Sequence, residues 1–206
     1  MKKIAVLSQK GGAGKTTLAL HLAVAALLDD KAVAVIDLDP QASATDWGDS
    51  REEEDPVIVS AQAARLGKTM EKMEGAGADL LIIDTAPHSQ NDALQAARAA
   101  DLILIPCRPA ILDLRAISNS VDISRLAKTP AKVVLNAIQP TGARWKDAAS
   151  AIEQYEIEVS PCRLANRVAY QDSLTTGLTA QEYEPDGKAS TEIEALYSWT
   201  KDELSM

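Results

Sequence analysis

A glycine-rich loop between an apolar run and a helix-patterned stretch constrains the fold of this chain more than any other feature. The apolar run covers residues 4–7 and the helical pattern covers residues 17–23. The loop reads Gln9-Lys10-Gly11-Gly12-Ala13-Gly14-Lys15-Thr16-Thr17. Glycines let backbone N–H groups converge on an anion, and the helix that follows adds the positive end of its dipole. The order strand, loop, helix therefore predicts a phosphate-binding loop.

The residue types in the loop suggest what each member does. Lys15 is placed to reach the terminal phosphates of a nucleotide, and the Thr16 hydroxyl is placed to bind Mg²⁺. Gln9 stands where the usual pattern has its first glycine, and a second lysine, Lys10, follows it. This variant of the loop, with Lys10, is a more specific sequence signal than the usual phosphate-loop pattern. The residues predicted to enclose the nucleotide are Gly11, Gly12, Ala13, Gly14, Lys15, Thr16 and Thr17.

The composition, with 46% hydrophobic and 25% charged residues, is typical of a soluble globular protein. Its 206 residues are expected to form one domain, residues 1–206. No apolar run approaches the roughly 18 residues that span a bilayer, and no hydrophobic leader precedes the first strand. We therefore expect a cytoplasmic location and no membrane partner. Cys107 and Cys162 lack metal-ligand spacing and are interpreted as reduced thiols.

Net charge limits the class of partner. The formal charge is −9, which does not suggest a general nucleic-acid-binding protein. Any contact with DNA must then be local and strongly dependent on salt.

Short apolar runs alternate with longer helix-patterned stretches along the chain. The predicted strands are residues 3–8, 33–38, 57–59, 80–83, 102–106 and 132–138. The predicted helices are residues 15–28, 61–74, 90–99, 112–127, 146–155 and 189–204. Several strands are apolar throughout, as expected of parallel strands covered on both faces. The pattern predicts a doubly wound α/β fold, with a mainly parallel sheet, helices on both faces and the phosphate loop at its carboxyl edge.

Three further segments carry residues suited to nucleotide chemistry at that edge. Asp39, in the segment 37–41 after the second strand, is placed to orient or activate an attacking water and is a further candidate metal ligand. Asp84 ends the apolar run 80–83, a Walker B pattern whose carboxylate holds Mg²⁺ through a coordinated water. Asn136 offers an amide to the adenine edge, and Pro109 belongs to a rigid loop beside it. An asparagine that merely ends a strand is the alternative. His88 and His21 are given no catalytic role.

Taken together, the motifs resemble the ParA/MinD group of P-loop NTPases of the deviant Walker A type. The segments Lys-Gly-Gly-x-Gly-Lys-Thr-Thr, Asp-x-Asp-Pro-Gln and Ile-Ile-Asp-Thr-Ala-Pro carry the resemblance, and residues 163–192 are similar to the C-terminal segment of the group. The small ParA proteins that partition plasmids, chromosomes or other cargo are the most similar branch. The resemblance therefore covers nearly the whole chain.

The resemblance implies an ATP hydrolase that uses ATP and Mg²⁺, turns over slowly and is stimulated by a ParB-like or other cargo-adaptor protein. It implies a homodimer in which Lys10 crosses the interface to touch the phosphates bound by the other subunit. Lys10, Lys15 and Asp39 would then be the catalytic residues, and loss of Asp39 would leave a locked ATP state.

Non-specific DNA binding by the ATP dimer, and with it association with the nucleoid, is a further implication of the resemblance. Arg163 and Arg167, whose spacing of four residues would place them on one face of a helix, and Lys188 are the candidates for DNA contact. Arg144 and Lys146 are possible additions. Acidic residues surround all of them, and ordinary surface or ion-paired arginines are the alternative interpretation.

Two other functions on the same scaffold stay open. A MinD-like membrane-associated positioning ATPase would end in a basic amphipathic helix, and residues 197–206 are not basic. A metabolic enzyme would need substrate-binding insertions, and an iron–sulfur carrier would need clustered cysteines. No helix-turn-helix precedes the loop, so binding to a specific operator is not expected.

Overall fold

Seven parallel strands form one sheet in the computed structural model, which describes residues 1–87 and 89–206, without the side chains of Ile111, Leu112 and Arg115. The strands are β1 (Lys2–Val6), β2 (Val33–Asp37), β3 (Val57–Ser60), β4 (Leu80–Asp84), β5 (Leu102–Cys107), β6 (Ala131–Ile138) and β7 (Glu158–Ala165). Their order is β3-β2-β4-β1-β5-β6-β7, and every neighbouring pair is parallel. The predicted doubly wound α/β fold is confirmed. His88 lies outside the described residues.

Helices cover both faces of this sheet. They are α1 (Lys15–Leu27), α2 (Ser43–Asp49), α3 (Leu66–Gly75), α4 (Gln90–Ala99), α5 (Ile111–Ala127), α6 (Arg144–Glu153), α7 (Ala169–Thr175), α8 (Ala180–Tyr183) and α9 (Lys188–Leu204). All six predicted helices are present. The one predicted from residue 61 begins instead with a short 3₁₀ turn over Ala63–Arg65. The sequence pattern did not identify the short helices α2, α7 and α8.

Strand β7 corrects the predicted placement of two arginines. Arg163 lies within β7, and Arg167 lies in the connection between β7 and α7, so the two do not share a helix. The strand was not predicted because Pro161 interrupts it and its residues are only partly buried. A proline is tolerated there because β7 is the edge strand of the sheet, where a missing N–H donor removes no internal ladder.

Two apolar layers explain why the central strands are hydrophobic throughout. Ile4 of β1 and Ile82 of β4 pack on one side of the sheet with α1 and α9. Ala5 and Ile83, the next residues of the same strands, pack on the other side with α4 and α5. Successive residues point to opposite faces, and both faces are covered here. In the described part of the chain, no helix is long and apolar enough to cross a membrane.

Candidate nucleotide-binding site

The phosphate loop connects β1 to α1 at the carboxyl edge of the sheet, as predicted. Gly12 and Gly14 have φ angles of 73° and 94°, which glycine adopts at little cost. A Cβ on Gly14 would clash with the side-chain amide of Asn136, so a larger residue there would displace that amide. That Asn136 amide donates a hydrogen bond to the Ala13 carbonyl oxygen at 2.8 Å. Asn136 therefore supports the loop itself, a contact that the strand-end pattern did not reveal.

Lys15 begins α1 with its side chain in the interior, and the residue is only 7% exposed. Burial lowers the pKa of its ammonium group, while the charges of Asp84 and Asp39 raise it. A buried cation is stabilised by a nearby anion. The structure therefore gives Lys15 the environment expected of a lysine that binds phosphate.

Thr16 and Asp84 meet at the end of β4. The Thr16 hydroxyl donates to Asp84 Oδ2 at 2.6 Å. Asp84 is fully buried, and burial raises the pKa of its carboxyl to about 7, against the opposing effect of the Thr16 hydrogen bond. Within the described residues, Asp84 Oδ1 has no hydrogen-bond partner. An unpaired buried carboxylate oxygen beside a hydroxyl is a suitable site for a hard cation.

The donor set fits Mg²⁺ in particular. Among the described residues, no group of three or more His, Cys, Asp or Glu side chains is arranged to hold a metal ion. Mg²⁺ commonly keeps several waters and binds through one or two protein oxygens plus substrate phosphates. Thr16 and Asp84, the latter directly or through a water, are the protein groups that would hold it here.

Two aspartates after β2 have different structural environments. Asp37 is fully buried, and its carboxylate accepts hydrogen bonds from the backbone N–H groups of Asp39, Ala44 and Thr45 at 2.9–3.1 Å. It thereby anchors the start of α2. Asp39 is half-buried and accepts a bond from the Gln41 N–H at 3.0 Å. Its negative charge contributes to raising the pKa of Lys15.

Lys10 makes a contact that the sequence did not predict. Its Nζ lies 2.5 Å from Oδ1 of Asp113 in the first turn of α5. The predicted contact of Lys10 with the nucleotide of a second subunit is a contact between two copies, and it stays a prediction.

A cavity of about 80 Å³ beside the loop is the candidate site for the nucleoside. Its lining includes Gly14, Thr17, Asn136, Asn166, Arg167 and Tyr170. Pro109 lines a neighbouring cavity of about 230 Å³ with Arg144 and Trp145. The structure thus brings Asn136, but not Pro109, to the cavity beside Gly14. Asn166 and Tyr170 were not identified from the sequence, because neither lies in a motif of recognisable spacing.

The three residues predicted to contact DNA have different surroundings. The guanidinium of Arg163 stacks on Trp145, 3.6 Å from the ring centroid. Arg167 donates two hydrogen bonds to Glu192 Oε1, at 2.9 and 2.5 Å. Lys188 begins α9 and is exposed. Their role in DNA binding stays a prediction.

Comparison with known proteins agrees with this site. A protein named "Maintenance of carboxysome distribution protein A" from Gloeobacter kilaueensis is 30% identical over 213 residues, covering 98% of this chain and 93% of its own length. Protein IncC of Escherichia coli is 27% identical over 258 residues, covering 100% of this chain and 71% of its own length.

Solved structures show the same fold. The cell division ATPase MinD of Pyrococcus furiosus superposes with a TM-score of 0.78 at 20% identity, with 98% of each chain covered. An ATP complex of McdA from Cyanothece gives a TM-score of 0.76 at 18% identity, covering 100% of this chain and 97% of the other.

The sequence profile of the CobQ/CobB/MinD/ParA nucleotide binding domain matches residues 4–179. With its phosphate loop, Lys10 and Asp84 in the positions described, the chain belongs to the CobQ/CobB/MinD/ParA family and, within it, to the ParA/MinD-type ATPases.

Proposed function

We propose that this protein is an ATP-dependent dimerising switch that positions or partitions a cargo. The cargo would be a plasmid, a chromosome or a protein complex. The observation that carries the proposal is Lys10 at the start of the phosphate loop, a lysine additional to Lys15, which serves the phosphates bound by its own subunit. The name of one relative, the carboxysome distribution protein of Gloeobacter kilaueensis, supports the same class of function.

The residues at the carboxyl edge of the sheet have separate roles in ATP hydrolysis. The loop N–H groups and Lys15 bind the phosphates. Thr16 and Asp84 would hold Mg²⁺, which would neutralise charge on the terminal phosphates. Asp39, half-buried after β2, orients the attacking water. Lys10 adds a cation to the nucleotide held by the other subunit, so ATP becomes part of the dimer contact.

The ATP-bound dimer would bind DNA without sequence preference. It would therefore associate with the nucleoid. Arg163 and Lys188 are the candidate contacts, together with Arg144 and Lys146, which are exposed on α6. Because the chain carries a net charge of −9, these contacts would be few and sensitive to salt. A ParB-like or other adaptor protein would stimulate hydrolysis. The two subunits would then separate and the protein would dissociate from DNA.

Co-sedimentation with non-specific DNA tests the proposal. We expect binding with ATP, little with ADP or without nucleotide, and a steep loss of binding between 50 and 200 mM salt, on the scale typical of several phosphate contacts. The matched control is Lys15→Gln, which removes phosphate binding and should abolish the ATP dependence. Absence of binding in all nucleotide states, even at low salt, would contradict the DNA-based function.

A second measurement isolates Lys10. Lys10→Ala should retain ATP binding and lose the ATP-dependent dimer, as seen by light scattering. If that variant dimerises normally with ATP, the proposed role of Lys10 is wrong.

A further inference from the structure

Lys10 and Asp113 form an ion pair within one chain, between the start of the phosphate loop and α5. The two side chains differ greatly in exposure, at 37% for the lysine and 9% for the aspartate. A carboxylate that is nine-tenths buried is stable as an anion only while a charged or hydrogen-bonding partner stays close. Among the described side chains, Lys10 is the cation that pairs with it. Lys10 is therefore the more accessible member of the pair, and Asp113 is the more buried one.

Little space for water adjoins the ion pair while Lys10 occupies it. The adjoining cavity has a volume of about 10 Å³, and its lining includes Ser8, Ala13, Cys107, Ile117 and Ser120. One water needs roughly 10–15 Å³ of such volume. While Lys10 is in place, at most one water fits beside the pair, so the lysine is the main polar partner of the Asp113 carboxylate.

We propose that Asp113 is a positioning residue that holds Lys10 against its own subunit, and that Lys10 must leave it before two nucleotide-loaded copies can pair. The proposal rests on the dimeric switch described above, in which Lys10 reaches the phosphates of the other subunit. The pairing with Asp113 directs the ammonium group towards α5 of its own chain. In the dimer, the phosphates held by the other subunit replace Asp113 as the counter-ion.

The Lys10–Asp113 ion pair affects the dimer dissociation constant twice, because the pair must break in each of the two subunits. A binding-competent fraction f raises the apparent dissociation constant by 1/f for each subunit, hence by 1/f² for the pair. If Lys10 is free in roughly one protomer in three, the apparent constant rises about tenfold, and in one of ten, about a hundredfold. The ion pair thus keeps the protein monomeric until a nucleotide with enough negative charge is present.

The test is the dimer dissociation constant of Asp113→Asn with ATP and Mg²⁺, measured by analytical ultracentrifugation. We expect dimerisation at a protein concentration about tenfold or more below that of the unchanged chain. The matched control is Asp122→Asn, which removes an exposed carboxylate from the same helix and should change little. An unchanged or weaker dimer for Asp113→Asn would overturn the proposal.

Two further variants separate this proposal from the one on which it rests. In Lys10→Ala/Asp113→Asn the gain should vanish, because there is no lysine to release. If Lys10→Ala prevents dimerisation and Asp113→Asn has no effect, only the role of Asp113 is wrong. If Lys10→Ala dimerises normally, the dimeric switch itself is wrong. Folding of each variant is checked by ADP binding, and Asp113→Ser replaces the asparagine variant if that one does not fold.

Discussion

The Thr16 hydroxyl donates a 2.6 Å hydrogen bond to Asp84 Oδ2, a contact that joins residues 68 apart in sequence. Asp84 ends β4 and Thr16 lies in the first turn of α1, and β4 pairs directly with β1, the strand that leads into the phosphate loop. The parallel register of the two strands brings these side chains together. The other oxygen of Asp84 is buried without a partner among the described residues, so the pair is arranged to take a cation.

The first prediction concerns this pair. Asp84→Asn removes the negative charge and should weaken Mg²⁺-dependent ATP binding about tenfold or more, measured by calorimetry with and without Mg²⁺. Thr16→Ala should have a similar effect, because it removes the hydroxyl ligand. Binding of ATP in the absence of Mg²⁺ should change much less. Equal losses with and without the metal would show that the two residues support the loop and not the cation.

The second prediction concerns Asp39. Asp39→Ala should lower the rate of ATP hydrolysis by about a hundredfold or more, the range for loss of a residue that acts on the nucleophile. ATP binding should survive, because Lys15, Thr16 and Asp84 are untouched, and the ATP-bound dimer should persist. The measurement is single-turnover hydrolysis beside dimer lifetime. Asp46→Ala, an acid in the first turn of α2, is the control. Hydrolysis at the normal rate in Asp39→Ala would exclude this role.

Most of the site could be predicted from the sequence because its residues occur in compact motifs at strand ends. Lys15, Thr16 and Asp84 meet where the order of parallel strands requires. Asp113 could not be predicted, since an aspartate in a helix gives no signal until the fold places it against the loop. Asp37 was likewise unassigned, and its role in anchoring α2 depends on the turn after β2. Local patterns predict the strands and the loop, whereas contacts between distant segments require the packed structure.

The segment after α2 is a second case in which local sequence patterns do not predict a contact between distant residues. Residues 51–56 carry five charges and a proline, which suggests a solvated loop, yet the Arg51 side chain is only 3% exposed. Its guanidinium donates to both oxygens of Glu182, at 2.7 and 3.1 Å, and to the Gly177 carbonyl oxygen at 2.9 Å. It also lies 4.6 Å from the centroid of the Trp47 ring. No sequence pattern connects residues this far apart.

The third prediction follows from the buried position of Arg51. Arg51→Ala should lower the free energy of unfolding by about 3 kcal/mol, because it leaves Glu182 partly buried without its cation. Arg51→Lys should recover only part of this, since an ammonium group cannot reproduce the two-pronged contact. Arg125→Ala, which removes an exposed pair, should cost less than about 1 kcal/mol. Urea titration measures all three. Equal losses for Arg51→Ala and Arg125→Ala would contradict a structural role for the buried arginine.

The fourth prediction is a pH dependence of stability that arises from His21. The residue is fully buried in α1, its Nδ1 donates to the Thr17 carbonyl oxygen at 2.7 Å, and its Nε2 accepts from the Ala180 N–H at 3.1 Å. Burial lowers the pKa of His21 from 6.5 to about 4. Above pH 6.5 the imidazole is neutral in both folded and unfolded chains. Below it the unfolded chain takes up a proton that the folded chain excludes, so stability falls between about pH 6.5 and pH 4.

The expected size of this effect is up to about 3 kcal/mol, from a pKa difference of roughly 2.5 units at 1.36 kcal/mol per unit. The raised pKa of Asp84 acts in the opposite direction over much of the same range, because the folded chain then retains a proton that the unfolded chain loses. Comparison with His21→Gln removes this common contribution. The variant should lose less stability than the unchanged chain between pH 7.5 and pH 5, in urea titrations. Equal losses would show that His21 is not the group responsible.

The fifth prediction concerns the proposed contact of Lys188 with DNA. Lys188 is exposed at the first position of α9, so Lys188→Ala should leave the melting temperature unchanged. If it contacts phosphate, the variant should weaken ATP-dependent DNA binding and reduce the slope of log K against log salt by about 1. Arg167→Ala is the informative comparison, because Arg167 is bonded to Glu192 and its loss should lower the melting temperature. A weaker affinity for Lys188→Ala with an unchanged salt slope would show that this lysine acts on DNA binding indirectly and does not neutralise a phosphate.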